Sequence, residues 1–90
     1  MDVKNDTEQD VDYKVVNGGT PMDGEPTPPD QWQQLAPGQC VPVPVTGIVV
    51  VVFRRSGAIV GHNSANNNQS VELTGPPFQT IVQDGLIRGS

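Results

Sequence analysis

Ninety residues with a formal net charge of −5 make one small domain. The acidity argues against binding a nucleic-acid backbone, which needs a basic face, and against an anionic membrane surface. One cysteine, Cys40, excludes an internal disulfide and favours a reducing, non-secretory setting.

The charge is unevenly spread. Residues 1–30 hold eight carboxylates against Lys4 and Lys14, whereas residues 31–90 hold Arg54, Arg55 and Arg88 against Glu72 and Asp84. The chain therefore reads as an acidic segment joined to a nearly neutral, valine-rich one.

The opening MDVKNDTEQD is polar and lacks a periodic apolar face, so alone it is expected to be disordered. It has neither the basic nor the apolar region of a cleavable signal peptide. Residues 11–16, VDYKVV, alternate and predict a short strand. Residues 17–30 carry three glycines and four prolines, which forbid a regular helix or a central strand. Residues 1–30 thus read as an acidic, Pro/Gly-rich arm containing one strand, and residues 31–90 as a small β domain.

Within that domain, Trp32 and Leu35 precede a Pro37-Gly38 turn. Val41, Val43 and Val45 then alternate with Pro42 and Pro44. Two prolines at spacing two remove donors from one lateral side, so residues 41–45 are expected as an edge strand or as a segment lying outside the sheet. Ile48 to Phe53 is a continuous apolar run, the signature of a central strand covered on both faces. It is far too short to cross a bilayer as a helix. With no helix to cover the second face, the folded-back arm or a neighbouring subunit is expected to do so.

Ser56-Gly57 predicts a tight turn into Ala58–Val60. Residues 61–70 (GHNSANNNQS) read as a polar loop, residues 71–73 as a short strand, and residues 74–77 as a turn. Residues 78–83 and 86–88 flank Asp84-Gly85, a strong hairpin dipeptide. No segment shows helical spacing with caps. The expected fold is all-β: a small sandwich or partly open barrel of about six to seven short antiparallel strands, with an extended acidic amino-terminal arm.

Candidate chemistry is sparse, and the chain is read as non-enzymatic. His62 lacks the companions that a metal site requires, and no cofactor motif is present. Cys40 with His62 as base would be a nucleophile pair, but a cysteine beside a valine strand is ordinarily a packed small hydrophobe. The carboxylate-free 61–70 loop is a poor calcium site. The triplets at 5–7 and 68–70 match the N-glycosylation pattern and are read as chance. Arg54 and Arg55 close the apolar strand and suit a carboxylate partner, so a contact with the acidic segment is expected.

Two function classes follow. The first is a structural or assembly subunit packing on other protein subunits, as homo- or hetero-oligomer, through Asp10, Asp12, Tyr13, Trp32, Val50, Val51, Arg54 and Arg55. In style (short, acidic, cysteine-poor, β-rich) the chain resembles the minor, decoration or fibre-associated proteins of phage particles. Such a chain would sit in a virion or the cytoplasm. The second is a soluble protein- or carbohydrate-binding module using the 61–70 loop, with no motif supporting a sugar. A third, less favoured reading is an inhibitor working by acidic mimicry through residues 1–12.

Overall fold

The computed structural model describes residues 1–16 and 32–86. They form eight strands and no helix: β1 (Asp2–Asp6), β2 (Val11–Val16), β3 (Gln33–Leu35), β4 (Cys40–Pro42), β5 (Val49–Arg55), β6 (Ala58–Ala65), β7 (Gln69–Thr74) and β8 (Gln79–Asp84). Sheet A has the order β4-β1-β7-β8 and sheet B the order β3-β2-β5-β6. The expected all-β sandwich is therefore what forms. One pairing departs from it, because β1 runs parallel to β7, with Val3 opposite Val71 and Asn5 opposite Leu73.

The described part of the acidic segment is no arm. β1 lies inside sheet A between β4 and β7, and β2 lies inside sheet B between β3 and β5. The inward row of β1 and its flanks is half polar: Met1, Val3, Asn5 and Thr7 are all buried, and Asp2 between them is buried as well. A scan for apolar residues sees only the first two. The Pro/Gly-rich segment, residues 17–31, lies outside the described residues, as do residues 87–90, which include most of the strand expected at 86–88.

The core between the sheets is built from Val3, Val71 and Leu73 of sheet A against Val11, Leu35, Val51 and Phe53 of sheet B. A second cluster lies on the outer face of sheet B, where Val50, Val52 and Ile59 are buried with Val16 and Trp32 packed against them. Both faces of β5 are thus dry, as its sequence predicts, except at Ile48, which precedes the strand and is 76% exposed. Of the two expected covers, the 1–30 segment contributes: Val50 and Val52 are buried within one chain, with Val16 of that segment and Trp32 packed against them.

The expected 61–70 loop is also replaced. β6 runs through His62 to Ala65, leaving only a tight turn at residues 66–68 before β7. Polar and small residues at 61–65 hide the strand from a scan for alternating hydrophobes. Their smallness has a use: a Cβ at Gly61 would stand 2.9 Å from the Thr80 methyl carbon, so glycine lets β6 approach β8.

Candidate interaction surface

On the outer face of sheet B, register places Asp12 opposite Arg54, Lys14 opposite Val52 and Val16 opposite Val50. Arg54 donates from Nε at 3.1 Å and from Nη2 at 2.7 Å to the same Asp12 oxygen, Oδ2. The Arg54 guanidinium also lies 4.4 Å from the Trp32 ring centroid, and the Lys14 ammonium 5.8 Å from it. The expected meeting of acidic segment and arginine therefore occurs, inside one chain. The ion pair fixes the guanidinium, the guanidinium lies on the indole, and the indole packs on the second apolar cluster.

The other sequence-derived candidates scatter. Asp10 is exposed and accepts a hydrogen bond from Gln34 Nε2 at 3.2 Å. Tyr13 packs against the inner core, where burial raises its phenol above the ordinary 10.0. Val51 is fully buried in that core, so its place as an interface residue is corrected: odd-numbered positions of β5 face inward. Val50 faces outward but lies in the second cluster. Arg55 is half-buried and sits 5.8 Å from the Phe78 ring centroid.

Cys40 and His62 do not meet as a nucleophile pair. Cys40 is in β4, at one edge of sheet A, and His62 is in β6, at the opposite side of sheet B beside β8. Among the described residues no group of three His, Cys, Asp or Glu side chains is placed to hold a metal ion. Asn5, in the first glycosylation triplet, is fully buried. A cleft of about 320 Å³ is lined by Val15, Pro44, Val45, Thr46 and Val49, with the Thr46 hydroxyl as its only polar side-chain group.

The turn after β6 is bound up in its own contacts. The Asn68 N–H donates to Asn66 Oδ1, the Asn66 N–H to Gln69 Oε1, and the Met1 ammonium to the Asn67 carbonyl at 2.9 Å.

The sheet edges differ in how they are protected. β3 and β4 are three residues long, and β4 ends at Pro42 with Pro44 just beyond. The free side of β6 is turned to β8, where Thr80 Oγ1 donates to the His62 carbonyl at 3.3 Å and accepts from Asn63 Nδ2 at 3.1 Å. β8 has six residues, with no proline, lysine, arginine or bulge, and Gln79, Ile81, Gln83 and Asp84 are exposed. Sequence reasoning placed no interface there. The available signal was the absence of any edge-guarding residue from residues 79–83.

No family model matches the chain, and no curated protein or solved structure matches it. The functional reading therefore rests on the geometry alone.

Proposed function

We propose that the chain is a non-enzymatic assembly subunit that packs on neighbouring proteins in a larger particle. The observation that carries this is the edge position of β8, which among the described residues pairs with β7 alone, because a six-residue strand without guards is a template for strand addition. Small size, acidity and an all-β sandwich support placing it in a virion-like setting, as a minor, decoration or fibre-associated component. The alternative, ligand capture by a 61–70 loop, is less favoured. Most of that segment is strand, and the turn amides are engaged with one another.

Gel filtration of native extract, with the chain detected by antibody, tests this reading. The expected result is elution in a complex well above the mass of one chain. Elution as a free single chain overturns it.

A further inference from the structure

Among the described residues, the side of β8 away from β7 carries no paired strand. Along a strand, the N–H and C=O of one residue point to the same lateral side, and the side alternates with each residue. The Gly85 N–H donates to the Asn68 carbonyl at 2.8 Å, one pair beyond Gln69 opposite Asp84. Gln83, Ile81 and Gln79 therefore also point their backbone groups at β7. Thr74 Oγ1 bonds the Gln79 carbonyl from the β7 side, consistent with that parity. Thr80, Val82 and Asp84 direct theirs to the open side.

The side chains divide by the same parity. Thr80 and Val82 lie opposite Leu73 and Val71 on the core face, while Ile81 lies opposite Glu72 on the outer face. The outer row reads Gln79, Ile81, Gln83, which is a palindrome about Ile81.

We infer that β8 pairs antiparallel with β8 of a second copy of this chain, about a two-fold axis normal to sheet A at Ile81. This deepens the assembly reading and rests on it. In that register Ile81 faces Ile81, Gln79 of each copy faces Gln83 of the other, and Thr80 faces Val82.

Three features agree with this arrangement. A two-fold axis normal to a sheet keeps each side chain on its own face, so opposed residues must share parity, and these do. Thr80 and Val82, whose backbone groups face outward, become the hydrogen-bonded pair. Ile81 opposite Ile81 becomes the non-hydrogen-bonded pair, in which side chains approach most closely. Ile81, 39% exposed in the single chain, gains an apolar neighbour. No charge faces a like charge between Gln79 and Gln83, which matters for two copies that each carry −5.

The test is light scattering of purified full-length protein over a concentration series, for wild type, Ile81→Lys and Val82→Pro. Lysine at 81 stays beside Glu72 within its own chain but faces a second lysine across the axis. Proline at 82 removes an N–H that β7 does not use. The expected result is a wild-type dimer whose dissociation constant rises about tenfold or more in both variants, from lost apolar contact and opposed charge in Ile81→Lys and from a lost inter-strand hydrogen bond in Val82→Pro. Retained cooperative unfolding in Ile81→Lys shows that the loss is not misfolding.

A wild-type oligomer unmoved by either variant overturns β8 pairing while leaving the assembly reading standing. A wild type monomeric at all concentrations also overturns β8 pairing. The assembly reading itself fails only if the chain runs free in native extract.

Discussion

Asn5 and Leu35 join the two sheets: the Asn5 amide donates to the Leu35 carbonyl at 2.9 Å, thirty positions along the chain. The same amide donates to the Gln9 carbonyl, and Asn5 Oδ1 accepts from the Thr7 N–H and hydroxyl. Asn5 thus spends its polar groups where the chain passes from β1 to β2, with no solvent access. Replacing Asn5 by Leu keeps the branching at Cγ and orphans these partners. We expect a loss of about 3 kcal/mol in chemical denaturation, since each buried unsatisfied group costs roughly 1–3 kcal/mol. A loss within 0.5 kcal/mol, the scale of an ordinary surface change, would show the network to be dispensable.

Trp32 is the chain's only tryptophan and packs on the outer cluster of sheet B. Trp32→Ala uncovers Val50 and Val52 and removes the ring beneath Arg54. A destabilisation of about 2–3 kcal/mol is expected, below the value for a fully buried Trp because this ring is half-exposed. Increased binding of an apolar dye is expected in the same variant. Trp32→Phe recovers part of both, because it restores an aromatic face.

Gly61 and Thr80 form a size-matched pair. Gly61→Ala sets a methyl 2.9 Å from the Thr80 methyl carbon, and overpacking of this kind costs about 1 kcal/mol or more. Thr80→Ser removes that methyl and keeps the hydroxyl that bonds the His62 carbonyl. A double-mutant cycle by thermal unfolding should show the serine relieving most of the alanine's cost. Strict additivity of the two changes would contradict the contact.

Tyr13 gives a pH signature. Burial disfavours its phenolate, so the folded pKa lies above the unfolded value near 10.0. The folded state then holds the proton more tightly than the unfolded state. The associated stability is complete below pH 10 and is lost as pH rises through the folded value. Tyr13→Phe should flatten the alkaline fall of the unfolding midpoint. An identical fall in wild type and variant would assign it elsewhere.

The two faces of β5 show what a sequence of this kind discloses. The apolar run Ile48 to Phe53 announces a strand buried on both sides, which holds from Val49 onward, and Pro42 with Pro44 announce an edge. Both expectations hold because backbone donors and large apolar groups have consequences at short range. The identity of the cover was not legible, because Trp32, just before β3, meets Arg54 only through the pairing of β3 with β2 and of β2 with β5. β1 and the second half of β6 were missed for a related reason. Their inward positions hold Asn5, Thr7, Gly61 and Asn63, whose burial depends on distant partners or on a close approach. Two of the residues named for an interface, Val50 and Val51, are covered by their own chain. The open edge of β8 is plain only once strand order is known.

The central claim is that one chain by itself keeps both faces of β5 dry. Trp32 fluorescence of Ile81→Lys, followed through denaturant unfolding over a hundredfold range of protein concentration, tests it most directly. A cooperative transition with a constant midpoint, in samples whose scattering mass is that of one chain, is the expected result. A midpoint that falls on dilution, or a single chain whose tryptophan is already in water before denaturant is added, would contradict it.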